Sequence, residues 1–115
     1  MAVQQDEVDK RRFPRMLCKS TLRYQIRGQS QFKDVVTGDL SLGGLSFSGG
    51  SFLPLNTPLN LEISLPYKTL KSEGKVVWSS SVPHSDNYHL GVEFSNVAQK
   101  DLELLDKFLN HQPLY

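Results

Sequence analysis

The chain has 115 residues and a mass of 13.0 kDa, with 38% hydrophobic and 22% charged residues, a size and balance that fit one globular domain and leave no room for a second core. With 13 Lys and Arg against 12 Asp and Glu the formal charge is +1, which predicts neither a strongly basic nucleic-acid binder nor an acidic tail. The single cysteine, Cys18, excludes an internal disulfide framework and a zinc site built on cysteine pairs. The first residues have no apolar signal-peptide core and no stretch has the length of a membrane span, so a cytoplasmic protein without membrane insertion is expected. Charge is unevenly spread. Lys10, Arg11, Arg12, Arg15, Lys19, Arg23 and Arg27 follow one another with no intervening carboxylate, whereas beyond Arg27 six Lys meet nine Asp and Glu.

Residues 1–15 are polar, charged and aperiodic, and read as an exposed, mobile basic arm ahead of a single domain over residues 16–112. Residues 16–26 (MLCKSTLRYQI) alternate roughly and predict a first strand; residues 32–37 and 44–47 predict two short ones. Gly49, Gly50, Pro54, Pro58 and Pro66 punctuate the next stretch. Within it LNLEISL alternates cleanly, with Leu59, Leu61, Ile63 and Leu65 inward and Asn60, Glu62 and Ser64 outward. Residues 74–78 (GKVVW) and 88–94 (YHLGVEF) bring the series to six strands, as a small antiparallel barrel requires. The period then changes. Ala98, Leu102, Leu105, Phe108 and Leu109 fall on one face of a helix, with Asn96 and Gln99 spaced as a capping box and Pro113 as a stop. Such a helix would cover an open end or side of the barrel.

Residue types for nucleophilic catalysis are present in Ser41, His89, Asp39 and Cys18, but their context is wrong for it. No GxSxG elbow surrounds Ser41, and His84, His89 and His111 have no metal-ligand spacing. A binding module, not an enzyme, is therefore expected. Arg11, Arg12 and Arg15 lie within five residues, where their planar guanidinium forks can converge on phosphate oxygens or on guanine O6 and N7. In the segment from Asp39 to Gly44 (DLSLGG), Asp39 can accept from a guanine Watson–Crick edge, Ser41 can donate or accept, and Gly43 and Gly44 allow close backbone approach. The same residues also suit an ordinary turn between strands.

Arg11-x-x-x-Arg15 followed by Asp39-x-Ser41-x-x-Gly44 resembles the two-part signature of PilZ domains, which bind cyclic di-GMP (c-di-GMP). A second RxxxR, Arg23 to Arg27, falls inside the first predicted strand and so lacks the placement of that family's motif. The six-stranded β-barrel, the GVEF strand and the following helix are similar to the family's layout too. The resemblance implies that Arg11 and Arg15 hold phosphate and the guanine Hoogsteen edge, that Asp39 and Ser41 read the guanine, and that Gly44 keeps the loop compact. Lys10, Arg12 and Gly43 are auxiliary positions. Trp78, at the end of GKVVW, is expected either to stack on a guanine or to pack in the core. The implied function is a second-messenger receptor whose arginine arm orders on ligand binding and which signals through an effector protein, in a process such as motility, pilus function or exopolysaccharide production. Two other classes compete with it. A barrel for single-stranded nucleic acid would stack bases on Phe13 and Tyr24, but the acidic balance beyond Arg27 argues against it. A protein-interaction module without a ligand predicts no nucleotide binding.

Overall fold

The computed structural model of the chain describes residues 16–17, 19–66 and 68–110, with backbone alone for the first two. The basic arm, with Lys10, Arg11, Arg12 and Arg15, lies outside the described residues, as do Cys18 and Pro113. The elements are β1 (Met16–Leu17), β2 (Thr21–Ile26), β3 (Lys33–Leu40), β4 (Gly44–Gly49), β5 (Pro58–Ser64), β6 (Thr69–Ser81), β7 (Tyr88–Ser95) and α1 (Gln99–Asn110).

Six strands close into an antiparallel barrel in the order β3-β2-β5-β6-β7-β4, with β4 returning to β3. The expected first strand is interrupted. Residues 16–26 divide into β1 and β2, both of which pair with β3, so β1 prolongs the place of β2 in the ring. Leu17 pairs with Asp39 and Thr21 with Val36, four steps on one chain against three on the other, and this mismatch breaks the ladder. Reciprocal bonds bridge the gap: Ser20 N donates to Thr37 Oγ1 at 2.9 Å, and Thr37 N donates to Ser20 O at 2.9 Å.

The core follows the alternation. Leu59, Leu61 and Ile63 of β5 are buried, with Leu22 and Tyr24 from β2, Leu70 and Val76 from β6, and Leu90 and Val92 from β7. Each fully buried aliphatic side chain contributes roughly 1.5–3 kcal/mol. Tyr24 and Phe47 pack with ring centroids 5.0 Å apart. Leu65, expected inward, is only partly buried because β5 ends one residue earlier.

The helix is present but begins and faces differently from expectation. Asn96 has φ 58°, and the amides of Asp101 and Leu102 both donate to Ala98 O, so the helix starts from Ala98 and not from an Asn96 cap. Leu105 and Leu109 are buried and Leu104 and Phe108 partly buried against the core, while Ala98 is exposed. An ion pair of 3.3 Å between Lys68 Nζ and Asp101 Oδ1 ties the first turn of α1 to the connection between β5 and β6. No helix among the described residues is long and apolar enough to cross a membrane.

Candidate functional site

Two register shifts shape the outer face of the barrel that carries Asp39 and Trp78. Thr37 pairs with Phe47 and Leu40 with Leu45, so β3 carries one residue more than β4 across Gly38 and Asp39. Thr37 and Leu40 are both buried, and the bulge between them turns the Asp39 side chain to the outside. Asp39 was expected in a loop; it lies in β3, and its amide donates to Ser46 Oγ at 3.0 Å. On β6, Val76 pairs with Val92 and Trp78 with Gly91, which leaves Val77 as the extra residue. Strict alternation from the buried Leu70, Gly74 and Val76 would send Trp78 inward. The bulge sends it outward instead, with Val77 exposed and Ser79 opposite the buried Leu90.

Asp39, Ser46, Gly91 and Trp78 consequently form one row across β3, β4, β7 and β6, since Ser46 pairs with Gly91 and Gly91 with Trp78. The two middle residues are small. A Cβ on Gly91 would fall on the indole, at the position of its Nε1 and Cε2, so the ring occupies the space that a side chain there would need. Trp78 stacks on His89, with centroids 5.1 Å apart and planes 11° from parallel, and Ser48 Oγ lies 3.1 Å from His89 Nδ1. Trp78 is half-buried on this face and does not belong to the core.

The turn after Asp39 is made by Ser41, Leu42 and Gly43. Ser41 is buried, its amide donates to Gly44 O at 2.9 Å, and its Oγ accepts from Gly43 N at 3.1 Å and Gly44 N at 3.2 Å. Its hydroxyl therefore holds the turn. Gly44 is required by close approach: a Cβ there would collide with the Val92 carbonyl oxygen on β7. Gly43 O accepts from Phe94 N at 2.8 Å, which fastens the turn to β7.

Of the predicted residues, the structure brings Asp39, Ser41, Gly43, Gly44 and Trp78 to one end and face of the barrel; the four basic positions lie outside the described residues. Sequence reasoning missed Ser46 and Gly91 as the floor of the row, and His89 as the neighbour of Trp78. The small residues opposite one another in GLSFSG and YHLGVEF were the available signal. Arg23 and Arg27 are engaged elsewhere. Arg23 meets Glu62 at 3.3 Å and Asp34 at 3.6 Å and lies over the Phe32 ring, and Arg27 meets Glu73 at 3.2 Å.

A closed six-stranded antiparallel barrel, with one C-terminal helix and a glycine-bearing turn after β3, defines a class of small β-barrel modules. Residues 9–111 match the PilZ domain family, and the chain belongs to that family. Among solved structures it is similar to the inhibitor of motility MotI/DgrA of Bacillus subtilis, with TM-score 0.74 and 20% identity over 90% of this chain and 53% of that one. It is also similar to the PilZ domain of YcgR from Escherichia coli with c-di-GMP, with TM-score 0.68 and 15% identity over 88% of this chain and 90% of that one. MrkH of K. pneumonia in its apo state gives TM-score 0.71 and 18% identity over 85% of this chain and 48% of that one. The chain thus spans about half the length of MotI/DgrA and of MrkH. No curated protein matches the sequence.

Proposed function

We propose that this chain is a cytoplasmic receptor for c-di-GMP that acts as an adaptor, ordering its arginine arm on the ligand and presenting the result to an effector protein. The observation that carries the reading is the row Asp39, Ser46, Gly91, Trp78 lying beside the point where β1 joins β3. At about 4.8 Å between strands, three gaps extend roughly 14 Å, with a carboxylate at one end and, at the other, an indole that lies over Gly91 and can offer a ring face to a base. Met16 pairs with Leu40, and β1 runs antiparallel to β3, so the bond from Arg15 to Met16 tethers the RxxxR segment to the turn that carries the D-x-S-x-x-G residues. Family membership and the c-di-GMP in the YcgR structure support the choice of ligand.

In this reading Arg11 and Arg15 hold phosphate and the guanine Hoogsteen edge, Asp39 accepts from the guanine Watson–Crick edge, and Trp78 offers a stacking surface. Lys10 and Arg12 add attraction. Ser41, Gly43 and Gly44 act through the shape of the turn and its backbone groups. Binding, and not bond-making chemistry, is the whole of the task.

Calorimetric titration with c-di-GMP, with GTP and a single-stranded oligonucleotide as controls, tests the reading. Losing a charge-assisted hydrogen bond costs about 1.5–3 kcal/mol, so Arg15→Ala and Asp39→Ala should each weaken binding about tenfold or more. Arg23→Ala, already paired with Glu62, should leave affinity within about twofold while lowering stability slightly. Saturable binding of the oligonucleotide, or no binding of any nucleotide, would overturn the proposal.

A further inference from the structure

A groove of about 580 Å³ opens between the turn after β3, the end of β7 and α1. Leu42, Phe94 and Leu102 supply its apolar lining, and Glu93, Glu103 and Asp106 its charge; among the described residues no Lys, Arg or His lines it. Lys75 Nζ lies 3.9 Å from Glu93 Oε1, and Asp106 accepts a bond from Asn110, so these carboxylates are partly engaged without the groove losing its sign. Leu102, expected on the core face of the helix, instead faces this groove, which explains an apolar residue at the margin of the packed face.

One segment of this chain has the complementary chemistry. Residues 10–15 read KRRFPR, four cations and one aromatic ring with no carboxylate, and they lie outside the described residues. Met16, to which this segment is joined, pairs with Leu40, two residues before the Leu42 that lines the groove with Gly43. A tether this short gives an effective concentration on the order of millimolar, which makes even a weak local contact populated. We propose that, without ligand, this basic segment docks in the groove, its cations on Glu93, Glu103 and Asp106 and Phe13 on the apolar lining. Ligand binding then draws Arg11 and Arg15 to the Asp39 side of the same turn. The groove is a holding site for the arm, and its occupancy sets the apparent affinity for c-di-GMP; this second clause rests on the receptor reading above. If the arm spends about four-fifths of the time docked, the apparent Kd is about fivefold weaker than the intrinsic one.

The test places a spin label through Val8→Cys in a Cys18→Ala background of the full chain, which leaves residues 10–15 intact. Docking predicts broadening of the amide signals of Leu102, Glu103 and Asp106 in the ligand-free protein, relieved by Glu103→Lys with Asp106→Lys. Glu103 and Asp106 are exposed, so the substitution leaves the core untouched; Glu103→Gln with Asp106→Asn provides a milder second variant. Absence of broadening, or broadening indifferent to both charge changes, overturns the proposal. Broadening of an isotope-labelled molecule by a separate spin-labelled one would overturn it in favour of a second copy in the groove. Charge reversal should also tighten c-di-GMP binding about two- to tenfold, and an unchanged Kd would refute the competition. Failure of every variant and the parent to bind c-di-GMP would sink the receptor reading alone, because the broadening is read without ligand.

Discussion

Gly91 offers a way to remove the Trp78 surface without touching Trp78. A methyl group at position 91 would overlap the indole Nε1 and Cε2, and Gly91 is not among the residues with positive φ, so the backbone accepts alanine and the conflict falls on the ring. Trp78 must then swing off the row and off its stack with His89. Base–aromatic stacking is worth about 1–3 kcal/mol, which converts to roughly five- to 150-fold in affinity. Gly91→Ala and Trp78→Ala should therefore each weaken c-di-GMP binding within that range, and Gly91→Ala should add almost nothing in the Trp78→Ala background. Such non-additivity identifies groups acting through one contact. Stability should move little, because alanine in a strand recovers about 0.5–1 kcal/mol relative to glycine while displaced indole packing loses a similar amount. Titration of the four proteins measures the cycle. Emission of the only tryptophan, shifted to the red in Gly91→Ala, checks that the ring has moved into water. Equal affinity of Trp78→Ala and the parent, or additive losses in the double variant, would refute the stacking role.

Gly44→Ala should act on the fold instead. Its Cβ would meet the backbone Val92 oxygen, which no rotamer change can clear, so a loss of about 1–3 kcal/mol is expected and a thermal melt should show a drop of several degrees or more. Ser46→Ala removes an acceptor of the Asp39 amide at the bulge, and losing such a part-buried hydrogen bond costs about 0.5–1.5 kcal/mol. Affinity should fall with it, because the bulge aims Asp39; an unchanged Kd would separate the two. Burial raises the Tyr24 phenol above 10.0, against the lowering effect of its bond with Ser51. The fold therefore favours the neutral ring, so its contribution is complete below pH 10 and is lost as the pH rises through the raised value. Denaturant melts at pH 9 and 11 should show this loss, and Tyr24→Phe should flatten the difference.

The elements that sequence reading placed well are those in which one face is simply buried. LNLEISL alternates because Leu59, Leu61 and Ile63 enter the core of a regular ladder, and the helix shows a 3.6 period because Leu105 and Leu109 cap that core. Elsewhere the local pattern misleads. Residues 16–26 look like one strand because both pieces pair with β3, and only the partner's numbering reveals the break. Asp39 and Leu40 look like turn residues because Ser41 and two glycines follow, yet both hold ladder positions opposite β1. The capping box failed because Asn96 adopts a positive φ and leaves the first helical bonds to Ala98. Ser41, expected to read the ligand, has a hydroxyl that already serves the Gly43 and Gly44 amides, an engagement the spacing of the motif does not reveal.

The candidate site lies where the alternation fails. A regular strand gives every second residue to the core, so a polar or aromatic side chain can be presented outside only from the opposite phase. The bulge at Gly38 and Asp39 and the bulge at Val77 each insert one residue, keep hydrophobic or small residues inward on both sides, and reverse the phase of what lies between. One delivers a carboxylate and the other an indole to the two ends of the same row. Between them, Ser46 and Gly91 pair in unbroken register and keep the floor low. Neither bulge is visible in a hydrophobic pattern read along one strand, because each is a mismatch between two strands. The chemistry that defines the row depends on pairing, whereas the core that supports it depends on composition, and this is why the barrel could be read from one chain and the aim of Trp78 could not.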